Sequence, residues 1–165
     1  MRRILPIIVI LILGCDRQQK MDILTGDLYF GFLRIGSYYN KPDSVVKQSQ
    51  LYFDSLAIEK TDPQTKTLIR LYTILKERQL LYKPFIELRI HDDSVVTLYL
   101  DTLDYNRIKI YKRQRLQNEN KVVRIEALAT MIDSGFFYCN KLKRIELVQG
   151  TTLQRQKKFK IEDYN

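Results

Sequence analysis

Apolar and polar positions along the chain fall into four regimes. Residues 4–13 are an unbroken apolar run, closed by Gly14 and Cys15 and followed at once by the polar stretch 16–25. From Gly26 a short aromatic-rich run (Leu28, Tyr29, Phe30, Phe32, Ile35) reads as a strand, ending at Gly36 before a loop that carries Asn40 and Pro42. The period then becomes helical. Val45, Ser49, Tyr52, Phe53, Leu56 and Ala57 recur at threes and fours, with Asp43 or Ser44 as N-cap. Asp62 and Pro63 open a second helix with Leu68, Leu71, Tyr72, Leu75 and Leu80 on one face, and Pro84 ends it by driving Lys83 out of helical geometry. The two helices are close enough in sequence to form an antiparallel hairpin.

After Pro84 the period is two. Ile86, Leu88 and Ile90 alternate with polar residues, as do Val96, Leu98 and Leu100, with Asp92 and Asp93 between, which predicts a β-hairpin with one buried face. Asp101 caps a short helical turn through Asp104 and Tyr105, and basic, weakly patterned sequence follows to Asn120. Val123, Ile125, Ala127, Ala129 and Met131 alternate again; Asp133-Ser134-Gly135 is a turn, and Phe136 to Val148 is a final long strand whose phase slips, predicting a bulge within Asn140–Lys143. Phe159 and Ile161 suggest a last edge strand. The expected class is α+β: a two-helix hairpin packed on an antiparallel sheet of about five strands. The stretch from Phe85 to Val148, hairpin, helix and long hairpin, resembles the end of an OB-fold barrel.

The opening run is the most informative segment. Ten helical residues rise about 15 Å, half of a hydrocarbon core about 30 Å thick, so residues 4–13 cannot span a bilayer as a stable anchor. Behind Arg2 and Arg3 they read as the apolar region of a signal peptide. Ile12, Leu13, Gly14 and Cys15 resemble the lipobox of bacterial lipoproteins, with Leu13 where that family prefers a smaller residue. The resemblance covers the leader alone. It implies cleavage between Gly14 and Cys15, a diacylglycerol on the Cys15 sulfur, and a chain tethered by acyl groups to a membrane of the bacterial cell envelope. The expected organisation is a signal peptide at 1–14, a lipidated tether at 15–25 and a single domain at 26–165. With Cys15 consumed by lipid, Cys139 has no intramolecular disulfide partner and reads as a small core residue.

Composition bears on function chiefly through charge. The 165 residues carry 28 Lys and Arg against 19 Asp and Glu, one His and no Trp, at 45% hydrophobic content, which suits one folded domain and excludes a disordered chain. Between Tyr105 and Lys160 there are fourteen basic residues against four acidic ones. Lys109, Lys112, Arg113, Arg115, Lys141, Lys143 and Arg144 are the candidates for an anionic-surface contact. In the cytosol such residues, interleaved with aromatics on an OB-like sheet, suggest single-stranded nucleic acid. The leader argues against that partner and for anionic lipid, lipopolysaccharide, acidic wall polymer or an envelope protein.

Catalytic groups are scarce. His91 is the only imidazole and sits at a hairpin tip, Cys139 lies among Phe136, Phe137 and Tyr138, and the close carboxylate pairs Asp92-Asp93 and Asp101 with Asp104 suit turns and caps. No catalytic residue, metal site or cofactor is implied, so the expected function is non-enzymatic binding. The alternative is a small-ligand module whose pocket is lined by Tyr29, Phe30, Phe32, Tyr38 and Tyr39.

Overall fold

The structure, a computed structural model, describes residues 21–29, 37–58, 62–91, 94–116 and 120–150. The leader with Gly14 and Cys15, the aromatics Phe30 and Phe32, and the tail with Phe159 and Ile161 lie outside the described residues. Five strands and three helices follow in the order β1 (Met21–Tyr29), α1 (Asp43–Ile58), α2 (Pro63–Glu77), a 3-10 turn (Leu80–Tyr82), β2 (Phe85–Arg89), β3 (Val95–Tyr99), α3 (Thr102–Leu116), β4 (Lys121–Asp133) and β5 (Phe136–Gln149). The chain is α+β, but the sheet is not open. Its strands close into a barrel in the order β1-β2-β3-β5-β4, with β4 returning to β1.

Closure corrects the expectation of an antiparallel sheet in one further respect: β3 and β5 run parallel, with Leu98 opposite Phe137 and Tyr99 opposite Tyr138. Alternation specifies which side of a strand is buried, not which neighbour it takes. The long β4 serves both β1 and β5, so β5 fills the remaining gap beside β3 and no edge is left unpaired. Bending such long strands around a barrel needs irregularities. The β4–β5 register skips Lys143 opposite Glu126/Ala127 and Asn140 opposite Leu128/Ala129, within the span where the sequence phase slips.

The barrel interior is apolar throughout: Leu24, Leu28, Ile86, Leu88, Val96, Leu98, Val123, Ile125, Ala127, Ala129, Phe137, Cys139 and Leu142 are buried together, joined by Ile108 from α3. A second cluster holds the helices to the barrel. Leu71, Tyr72 and Leu75 of α2, with Leu80, Leu81 and Tyr38, pack around Tyr99 on the outside of β3. The β2–β3 hairpin is therefore covered on both faces, where alternation predicts one, and Thr97 and Glu87 are buried along with Tyr99. The Tyr99 hydroxyl finds no hydrogen-bond partner among the described residues, and those of Tyr38 and Tyr72 lie near each other in the same cluster.

Helix starts follow the sequence signals more closely than helix faces do. The Asp62 carboxylate accepts from the backbone N–H of Gln64 (2.8 Å) and Thr65 (3.1 Å), with Pro63 next to it at the head of α2. Lys83 is extended before Pro84, as its position requires, but Pro84 does not end the helix: α2 stops at Glu77, Gln79 turns left-handed (φ 57°), and Leu80, expected on the helix face, falls in the 3-10 turn. On α1 the packed side chains are Val46 and Phe53, the latter stacked on Tyr72 at 4.1 Å; Val45 and Tyr52, expected on the buried stripe, are exposed.

Two boundaries differ from expectation. Residues 21–25, read as part of a polar tether, are the first half of β1, because Met21, Ile23 and Thr25 face outward while Leu24 fills the barrel. Gly26, where the strand was expected to begin, lies in its interior. A Cβ there would meet the Arg89 carbonyl oxygen at 2.9 Å and the Leu88 Cβ at 3.0 Å, so the glycine lets β2 approach as β1 passes from β4 to β2. Gly26→Ala is expected to destabilise the domain by about 1–3 kcal/mol in urea unfolding, since backbone rather than a flexible side-chain end must move. An unchanged midpoint would exclude this role.

Candidate anion-binding cleft

The segment from Tyr105 to Leu116, read as weakly patterned, belongs to the fifteen-residue helix α3. Tyr105, Ile108 and Tyr111 form its inward face, while Leu103 (80% exposed) and Ile110 (58%) point outward. With apolar residues on both sides, the helical period is blurred in the sequence.

Helix α3 packs against β4 and β5, and between it and strands β1 and β2 lies a cleft of about 370 Å³. Leu28 and Ile86 supply an apolar floor with Ile108, and Phe85 flanks it. Tyr29 and Tyr105 add two phenols. Lys109, Lys112 and Arg113 reach it from α3, the first two at spacings of four and seven from Tyr105 and hence on one helix face. Glu87 is the single carboxylate in the lining, so the cleft carries three formal positive charges against one negative.

Neighbouring groups fix the walls. The Arg89 guanidinium lies 4.8 Å from the Tyr29 ring centre. Two residues before Tyr29, Asp27 accepts two hydrogen bonds from Arg124, at 2.9 and 3.2 Å, which hold the guanidinium above its ordinary pKa and tie β1 to β4. On the α3 side Tyr39 packs edge-on against Tyr105 at 5.7 Å. At the head of α3, Asp101 accepts from Lys83, raising the ammonium pKa, and from the Tyr138 hydroxyl at 3.3 Å.

The residues singled out from the sequence are thus divided. Lys109, Lys112, Arg113 and Tyr29 meet at the cleft. Lys141, Lys143 and Arg144 lie on β5, outside its lining. The side chain of Arg115 lies outside the described residues. Of the aromatics proposed to line a pocket, Tyr38 is instead buried in the helical cluster and Tyr39 only buttresses Tyr105. Sequence reasoning missed Glu87, Phe85 and Tyr105 as cleft residues. Reading 105, 108, 109 and 112 as one helix face would have found the last.

Comparison of the chain with protein-family models, curated proteins and solved structures returns no match. The chemistry of the cleft therefore rests on its own residues. Arginine and lysine side chains can give charge-assisted hydrogen bonds to a phosphate or carboxylate, while the floor accepts an apolar body; the volume is at the small end of ligand sites, roughly 300–1,000 Å³. His91 is exposed beyond the end of β2 and does not line the cleft. Among the described residues no group of three or more His, Cys, Asp or Glu could hold a metal ion, and no helix is long and apolar enough to cross a membrane.

Cys139 is buried at 3% exposure in the barrel, and burial pushes its thiol up to about 12. Native protein is expected to show no reactive thiol at pH 8, and the urea-unfolded chain one. Two thiols on unfolding would mean that Cys15 carries no lipid; a reactive native thiol with only one thiol on unfolding would mean that Cys139 is accessible.

Proposed function

We propose that this chain is a lipid-anchored lipoprotein of the bacterial envelope, non-enzymatic, whose domain binds an anionic envelope component through the basic side of α3. The leader supports the anchor: a basic head, a ten-residue apolar run and the Ile12-Leu13-Gly14-Cys15 motif. The observation that carries the binding reading is the convergence of Lys109, Lys112 and Arg113 over an apolar, tyrosine-walled cleft. A five-strand order of β1-β2-β3-β5-β4 with a helix between the third and fourth strands supports an OB-like architecture, a scaffold that hosts many ligands and by itself selects none.

The test is binding of purified lipopolysaccharide and of a poly(glycerol phosphate) polymer to the full chain in neutral detergent. Each basic residue at an anionic surface is worth about 1 kcal/mol, so Lys109→Glu, Lys112→Glu and Arg113→Glu together are expected to weaken binding by roughly two orders of magnitude. High salt should have a similar effect. Binding that ignores both changes would refute the reading. The apolar floor favours a second reading, a low-mass anionic ligand with an apolar body: saturable binding of such a molecule, lost in the same variant, would select it over a polymer.

A further inference from the structure

The basic residues left outside the cleft lie close to where the proposed tether enters the domain. Register sets three outward-facing residues in one row across three strands: Ile23 of β1 is opposite Leu128 of β4, and Leu128 is opposite Lys141 of β5. Ile23 is 62% exposed and Met21, two residues closer to the anchor, 53%. Lys141 and Lys143 are exposed and make no ion pair among the described residues. Farther along the same face the charges are matched: Arg124 pairs with Asp27, and Arg144 with Glu146 at 2.8 Å and opposite Glu126. Among the described residues, exposed apolar side chains beside cations with no ion pair therefore lie on this face only at the end where β1 begins.

Six residue steps separate Cys15 from Met21, a reach of roughly 20 Å even when fully extended. A lipid on Cys15 would hold that end of the barrel against the membrane. We infer that the outer face of β1, β4 and β5 around Met21, Ile23, Lys141 and Lys143 docks on an anionic bilayer surface, the apolar side chains at the headgroup boundary and the lysines over the phosphates. The pairing is complementary in both hydrophobicity and charge. Tyr29, at the cleft, is eight residues up β1, about 26 Å away at strand rise, so docking here holds the cleft clear of the bilayer. This inference rests on the lipoprotein reading for the anchor, but the face is tested separately.

The chain contains no Trp, so a single introduced indole reports its own surroundings. Ile23→Trp and Leu103→Trp, both at exposed positions, would be made in the full chain and reconstituted into vesicles of phosphatidylethanolamine with brominated phosphatidylglycerol. Ile23→Trp is expected to be blue-shifted and strongly quenched, and Leu103→Trp on α3 to be unquenched. Most of the Ile23→Trp quenching should be lost when Lys141→Glu and Lys143→Glu are added. Quenching at Leu103→Trp that equals or exceeds that at Ile23→Trp, or none at either, would overturn the docking face. Intact mass decides the anchor independently: a chain without acyl groups on Cys15 refutes the tether, and the same variants mixed with the vesicles then still decide the face.

Discussion

Cys15→Ala is expected to abolish incorporation of labelled fatty acid and to release the chain from washed membranes. The effect should be nearly complete, because the two holds on the membrane differ so much in strength. Each buried acyl methylene contributes about 0.8 kcal/mol, so two or three chains make the anchor effectively permanent. The apolar run at residues 4–13, about half the length of a spanning helix, cannot replace it. Electrostatic docking through Lys141 and Lys143 is salt-sensitive and should not survive a high-salt wash. Unchanged labelling in the variant would refute the lipid assignment outright.

Leu98→Ala should be the most damaging single truncation within the domain. Leu98 is fully buried in β3, opposite Ile86 on one side and Phe137 on the other, so its side chain lies between an antiparallel and a parallel neighbour in the barrel centre. Deleting a buried leucine side chain costs about 2–5 kcal/mol, and a closed barrel has little freedom to collapse around the void. Against a total stability of about 5–15 kcal/mol, that is a large fraction. Urea denaturation should show a lowered midpoint with little change in slope. Val95→Ala, at 42% exposure on the same strand, should cost well under 1 kcal/mol. Equal effects at the two positions would mean that the barrel core is not where the burial pattern puts it.

The alternating strands, the N-cap at Asp62, the extended Lys83 before Pro84 and the slip in β5 were legible because each depends on nearest-neighbour chemistry. Barrel closure was not, because pairing between β1 and β4 links Asp27 to Arg124 across 97 positions and leaves no local trace. The start of β1 at Met21 rather than Gly26 was hidden for a related reason: Gly26 lacks a side chain because of a contact with Leu88 and Arg89 of a distant strand. For the cleft, the charges were visible and their grouping was not. Lys109, Lys112 and Arg113 separate from Lys141, Lys143 and Arg144 only once α3 is known to be a full helix rather than a single turn.

The same long-range pairing bears on how the domain matures. β1 emerges first, yet its partners are β2, beginning at Phe85, and β4, beginning at Lys121, so neither edge of β1 can be satisfied until most of the chain has followed. Contacts of that separation close slowly, since the loop entropy is lost before the strand pairing compensates for it. For a chain exported as proposed above, that order would leave the barrel unclosed until its last strand had crossed the membrane, so slow closure itself would delay folding.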